Sequence, residues 1–127
     1  MEYSSEVRRR FPAPARAGEI PSDAGKVVTG AAEDQSLRFW VRFQVELTGA
    51  RIDRVRFQAY GCPHSVAAAD WVASELEGKS VDAMAGIDLT DVASRVGLPR
   101  EKHGKLLRIE DAIAACHEQA LAVKDGF

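Results

Sequence analysis

Between Leu37 and Leu47 hydrophobic and polar residues alternate. Leu37, Phe39, Val41, Phe43, Val45 and Leu47 share one face, while Arg38, Arg42, Gln44 and Glu46 share the other, with Trp40 as the apolar exception. A period of two predicts a half-buried antiparallel strand. Thr48-Gly49 supplies a turn, after which Val55, Phe57 and Ala59 alternate with Arg54, Arg56 and Gln58 from Ile52 to Tyr60. The two runs form a hairpin, and Val27–Ala31 is a candidate third strand at its edge.

At Tyr60-Gly61-Cys62-Pro63 the period changes to that of a helix. Pro63 suits the first helical position, where a missing N–H costs nothing. Val66, Ala69, Ala73 and Leu76 form the expected buried stripe, and Gly78 ends it. Val81–Met84 reads as a short helical turn. Asp88 or Thr90 caps a second helix running to Val96, closed by Gly97 and Pro99. Residues 101–124 form the longest helix, with Leu106, Leu107, Ile109, Ala112, Ile113, Ala120 and Val123 as core candidates. Strands followed by helices predict an α+β fold, a small antiparallel sheet of about three strands covered on one face by helices. Residues 1–26 form an N-terminal arm: a short amphipathic helix over 3–10 stops before Pro12, and Phe11–Lys26 runs over the surface.

At 127 residues the chain is expected to be a single domain. Seventeen basic residues against nineteen acidic ones leave a net charge of −2, without the basic excess of a protein that grips phosphates. No apolar stretch approaches the length of a membrane helix, and MEYSSEVRRRF lacks the apolar core of a secretory signal. Two cysteines are too few for a disulfide framework, so a cytoplasmic protein with neither nucleic-acid nor membrane partner is expected. Neither GxGxxG nor GxxxxGK[ST] occurs, and GxSxG is missing as well, which removes support for nucleotide binding and for nucleophile-elbow hydrolysis. The Arg-rich outer face of the hairpin (Arg38, Arg42, Arg51, Arg54, Arg56) is either a solvated sheet face or a dock for an acidic partner.

Cys62 is the residue best placed for chemistry. It follows a strand and immediately precedes a helix, where free backbone N–H groups and the helix dipole favour the thiolate. A protonated His64 nearby would act the same way. A buried cysteine acting as a small hydrophobe is the alternative, and is the reading adopted for Cys116. Metal-ligand candidates are Cys62, His64, His103, Glu33 and Asp34, but none shows the tight spacing of CxxC or HExxH. His117 and His103 otherwise read as surface imidazoles, and Glu33-Asp34 as a solvated turn.

The order YSSEV, hairpin, YGCPHSVAAADWVASELEGKSVDAM, DLTDVASRVGLPREK and IEDAIAA resembles the NifU/IscU-type iron–sulfur cluster assembly scaffolds over nearly the whole chain. That resemblance implies the same α+β fold and a role in cluster assembly. The family holds its cluster with three cysteines, an aspartate and a histidine. Of these cysteines only the middle one is matched here, by Cys62. The first falls in the region of Glu33-Asp34-Gln35-Ser36-Leu37, where Asp34 is the candidate carboxylate. An ungapped match puts Gly104-Lys105 at the family's histidine–cysteine pair, leaving His103 one residue out of register. The implied ligand set is therefore Cys62, His103, Asp34 and His64, which suits zinc better than an iron–sulfur cluster or iron. Lys105 brings a positive charge to the place of a ligand. Leu98-Pro99-Arg100-Glu101-Lys102 departs at two positions from the family's chaperone-binding LPPVK.

Gly61-Cys62-Pro63-His64-Ser65-Val66 is also similar to the single-cysteine motif of SufE-type sulfur acceptors, with Trp71 in place of their adjacent tryptophan. Three functions stay open: a divergent scaffold that uses Cys62, a single-cysteine persulfide carrier fed by a cysteine desulfurase, and a non-catalytic interaction module working through Arg54 and Arg56. None of them turns over a small molecule, so the chain is not expected to be an enzyme.

Overall fold

A computed structural model describes residues 3–21 and 23–125, with side chains described up to residue 122. Three antiparallel strands, β1 (Lys26–Asp34), β2 (Phe39–Thr48) and β3 (Arg51–Tyr60), form a meander in the order β1-β2-β3. The predicted period-two faces hold: Phe39, Val41, Phe43, Val45 and Leu47 of β2 and Ile52, Val55 and Phe57 of β3 are buried on one face. Helices α2 (Pro63–Leu76) and α4 (Gly104–Asp125) cover that face, α4 over β1 and β2 and α2 against β3. The shorter α1 (Ser5–Arg10) and α3 (Leu89–Val96) pack beside α2. The expected α+β architecture is the one observed. No helix among the described residues is long and apolar enough to cross a membrane.

Close approach of helix to sheet depends on small residues. A Cβ on Gly30 would stand 2.1 Å from the Ala112 carbonyl oxygen and 2.8 Å from the Cys116 nitrogen, so α4 lies directly on the β1 backbone. On α2, Ala67, Ala68, Ala69 and Ala73 are all fully buried.

Several boundaries move for identifiable reasons. The third strand extends past Ala31 to Asp34 and pairs with β2 along its length. β2 starts at Phe39 rather than Leu37 because Asp34 closes a turn, its Oδ1 accepting from Ser36 Oγ at 2.6 Å and from the Leu37 N–H at 3.2 Å. Arg38 then takes a left-handed φ of 52° to re-enter the sheet. The β2–β3 turn is Gly49-Ala50, with Gly49 at φ 58°. Asp88 is the cap of α3, accepting from the Asp91 N–H at 3.1 Å, and Gly97 closes that helix at φ 75°. The last helix begins at Gly104, after a separate 3-10 turn over Arg100–Lys102. Leu107, a core candidate, is 47% exposed because it lies on the outer side of α4, and Val66 is only partly buried while Ala67 and Ala68 take its place. Val123 lies outside the described side chains.

The arm is tied down more firmly than its Pro- and Gly-rich composition implies. β3 would otherwise be an exposed edge, a liability for any sheet. Instead Phe57 donates to the Arg16 carbonyl at 3.0 Å and accepts from the Gly18 N–H at 2.8 Å. Glu77 Oε2 accepts from the Val55 N–H at 2.9 Å, and Ile52 bonds with Gly78 and Lys79. Asp70, buried on α2, anchors the arm from the other side. It accepts from Arg10 Nη1 at 2.7 Å and from the Arg16 N–H at 2.9 Å. Ile20, also buried, is held by Gln44 on the outer face of the sheet.

Candidate functional site

Cys62 caps α2 in extended conformation, at φ −75° and ψ 167°, with Pro63 opening the helix behind it. Its backbone carbonyl takes the first helical N–H groups, from Ser65 at 3.0 Å and Val66 at 3.2 Å. Its side chain turns to two partners. Sγ lies 3.2 Å from Ser65 Oγ, and Lys105 Nζ, reaching across from the start of α4, donates to Sγ at 3.1 Å. Partial burial works against the thiolate. The Ser65 hydroxyl and N–H, and the Lys105 ammonium, outweigh it and bring the thiol down from 9.0 to about 7. At neutral pH this cysteine is about half ionised and partly open to solvent.

The glycine before it is required by the packing. A Cβ on Gly61 would stand 2.9 Å from Phe39 Cδ1 and 3.0 Å from Ser65 Oγ, the atom that bonds the thiol. Strand β3, the turn and the first turn of α2 therefore fix the sulfur and its hydroxyl partner together. Ser65 was not singled out by the sequence reasoning. Its signal was the spacing from helix cap to third helical residue, the same spacing as a capping box.

The other candidate residues go elsewhere. His64 turns into the core, 2% exposed, and packs edge-on against Tyr3 with ring centroids 4.9 Å apart. Burial, aided by the charges of Lys102 and Lys105, lowers its pKa. It is neutral at pH 7 and gives the thiolate no positive charge. His103 is exposed, its Nε2 3.3 Å from the Leu98 carbonyl oxygen. Asp34 is engaged in its own turn, where the Ser36 hydroxyl and the Leu37 N–H hold its carboxyl below the usual range. Among the described residues no group of three or more His, Cys, Asp or Glu side chains converges where it could hold a metal ion. The set Cys62, His103, Asp34 and His64 is thus not gathered, and an ammonium faces the thiol instead.

Cys116 is fully buried, with its Sγ 3.6 Å from the Phe43 carbonyl oxygen, and burial pushes the thiol up to about 12. The structural role expected for it agrees with that environment. His117 stands 3.5 Å from Asp82. On the outer sheet face Arg54 pairs with Glu46 at 3.0 Å, Arg56 with Glu77 at 2.9 Å and Arg51 with Asp53 at 2.8 Å, while Arg42 bonds Gln58. Much of that face's positive charge is balanced within the chain.

Comparison with known proteins agrees with this fold. Two solved structures share the fold over nearly all of the chain. One is the iron–sulfur cluster assembly scaffold protein for the SUF system from Fervidobacterium islandicum AW-1, with TM-score 0.68 and 18% identity, covering 91% of this chain and 96% of that one. The other is the N-terminal part of a nitrogen-fixing NifU-like protein from Brucella abortus, with TM-score 0.70 and 13% identity, covering 91% and 92%. The iron–sulfur cluster assembly scaffold protein IscU of Escherichia coli K12 is 28% identical over 116 residues, 91% of each chain. The iron–sulfur cluster assembly protein IscU of Plasmodium falciparum is 28% identical over 111 residues, 87% of this chain and 68% of that one. The bifunctional protein NifU/MnmA of Rubrobacter xylanophilus is 32% identical over 114 residues, of which this chain spans 22% of the length. The family described as the NifU-like N terminal domain matches residues 2–122, and the chain belongs to that family.

Proposed function

We propose that this chain takes part in iron–sulfur cluster assembly as a divergent scaffold-family protein, and that Cys62 is the thiolate on which it receives sulfur. The observation that carries this is the Lys105 Nζ–Cys62 Sγ contact at 3.1 Å, at a sulfur already bonded to Ser65 and lowered to about 7. Such a thiol is a nucleophile at neutral pH and needs no further ligand to work.

The sulfur donor is a cysteine desulfurase carrying a persulfide. The Cys62 thiolate attacks the outer sulfur of that persulfide and a new S–S bond forms on Cys62. The old S–S bond breaks, and its electron pair leaves with the desulfurase cysteine as a thiolate. Nothing is oxidised or reduced overall. Lys105 stays beside the charge as it moves one sulfur outward. The chain accepts and hands on an atom without turning over a small molecule, which makes it a carrier or scaffold rather than an enzyme, working in the cytoplasm.

A cluster, as cargo, needs about four ligands, mostly thiolates. The described residues offer Cys62 alone at this site, so any cluster it carries draws its remaining ligands from a partner or a second copy. A preformed zinc site of Cys62, His103, Asp34 and His64 has no support in their positions.

Native mass spectrometry of anaerobically purified protein, after incubation with ferrous iron, cysteine and a cysteine desulfurase, tests the proposal. Added sulfur on Cys62, with or without iron, lost in Cys62→Ser, is the expected result. Sulfur without iron identifies a carrier, and sulfur with iron a scaffold. An unchanged mass would overturn the proposal.

A further inference from the structure

Cys62 and Lys105 meet as a nucleophilic sulfur and a primary amine 3.1 Å apart, both partly open to solvent. The pair comes from two elements separated by 43 positions in sequence, the cap of α2 and the first turn of α4. Oxidised cysteines usually resolve by attack of a second thiol. Here the only other cysteine, Cys116, is fully buried on the sheet side of α4 with its sulfur turned to the Phe43 carbonyl, so it cannot serve. The nitrogen of Lys105 is in contact with the sulfur in its place.

We infer that Cys62 and Lys105 form a reversible oxidative modification site, at which a peroxide joins Sγ to Nζ in a sulfenamide. The Cys62 thiolate attacks hydrogen peroxide, the O–O bond breaks, and the sulfur becomes a sulfenic acid with release of hydroxide. That hydroxide takes a proton from the Lys105 ammonium. The freed amine attacks the sulfur, an S–N bond forms, and the sulfenic oxygen leaves as a second water. The sulfur is oxidised by two electrons and the peroxide reduced by two. The linked protein is two hydrogens lighter than the reduced one. A thiol reductant then cleaves the S–N bond, restoring thiol and amine. The link shields Cys62 from the irreversible sulfinic step, and it pins the start of α4 to the cap of α2.

This inference shares with the proposed function a reactive Cys62, but it does not involve a desulfurase, so either can fail without the other. The test treats the full chain with hydrogen peroxide alone, digests it without reductant and looks for one peptide joining Cys62 to Lys105. Expected are that peptide in the wild type, its disappearance on adding dithiothreitol, and its loss in Cys62→Ser and in Lys105→Arg. Arginine keeps the charge but is a poor nucleophile. Lys105→Arg is also expected to accumulate sulfinic acid on Cys62 where the wild type recovers its thiol. Sulfenic or sulfinic acid on wild-type Cys62 with no joined peptide would overturn the inference. So would a Cys62 inert to peroxide, or a link carrying an extra oxygen atom, which is a different bond.

Discussion

Replacing Lys105 with glutamine removes one charge from the candidate site and keeps a hydrogen-bond donor, on a side chain one bond shorter. Lys105 Nζ stands 3.1 Å from Cys62 Sγ. Two unit charges at that distance attract by about 1.3 kcal/mol at the dielectric of water, and by more wherever the protein excludes solvent. Taking the water value for a partly open site, the loss is worth about one pKa unit. The thiol is an acid whose charged form the ammonium stabilises, so Lys105→Gln moves its pKa upward from about 7 towards the ordinary 9.0. At pH 7 the ionised fraction then falls from about one half to about one tenth, and alkylation by iodoacetamide slows about five-fold. Following that rate from about pH 5.5 to about 9.5 gives the midpoint directly. Cys116 stays silent throughout, because it is buried and pushed up to about 12. Coincident midpoints for wild type and Lys105→Gln would show that the ammonium does not hold the thiolate, and would sink the electrostatic reading of the site.

Other perturbations test other parts of the structure. Gly61→Ala places a methyl 2.9 Å from Phe39 and 3.0 Å from the Ser65 hydroxyl, so the hydroxyl must move off the sulfur; the Cys62 midpoint should rise in the alkylation assay, alongside a denaturant-measured loss of about 1–3 kcal/mol from overpacking. Asp70→Ala leaves Arg10 without its buried carboxylate and the Arg16 N–H without its acceptor; urea unfolding should show a loss of about 3 kcal/mol, and limited proteolysis should cut within residues 11–20. Glu77 has its carboxyl pKa lowered, burial opposing but outweighed by the Val55 N–H and by Arg16 and Arg56. Its contribution to stability is therefore full above the ordinary value of 4.5 and lost as pH falls through the lower folded value. Glu77→Gln should be less stable than the wild type at pH 7, by about 1–3 kcal/mol, and the gap should narrow on acidification; a constant gap would assign the cost to packing.

Strands β2 and β3 were legible because each alternates over most of its length and buries one face, and a slip of one residue would turn Phe43 and Phe57 outward together. Cys62 at the head of α2 was legible for a similarly local reason, since a strand ending at Tyr60 and a proline at the first helical position leave the cysteine nowhere else to be. What local pattern could not supply was the meeting of distant elements. Lys105 could be marked as a charge near a ligand position, yet its contact with Cys62 depends on how α4 rotates and how far it slides over β1, which Gly30 and Ala112 settle between them. The same rotation exposes Leu107 and sends His103 to the Leu98 carbonyl. His64, two residues beyond the thiol in sequence, lies about 200° further round the helix, facing the core and Tyr3. Beyond its short first helix the arm offered no periodicity. Its path is fixed by a few hydrogen bonds to Phe57, Asp70 and Gln44, none of which leaves a trace in composition.

On the proposed reading, Lys105 makes Cys62 better suited to receive sulfur than to hold a metal ion by itself. A thiolate needs a counter-charge wherever solvent is partly excluded, and a scaffold with converging cysteines and a carboxylate leaves that role to the metal. Here Lys105 supplies the counter-charge from within the chain, at 3.1 Å from Sγ, and the described residues gather no further ligands around it. A divalent ion approaching Cys62 must displace the ammonium or sit beside a like charge. A persulfide, being an anion, meets neither obstacle and keeps Lys105 as its partner. The lysine that opposes a cation therefore also prepares Cys62 for the chemistry that one thiolate can perform.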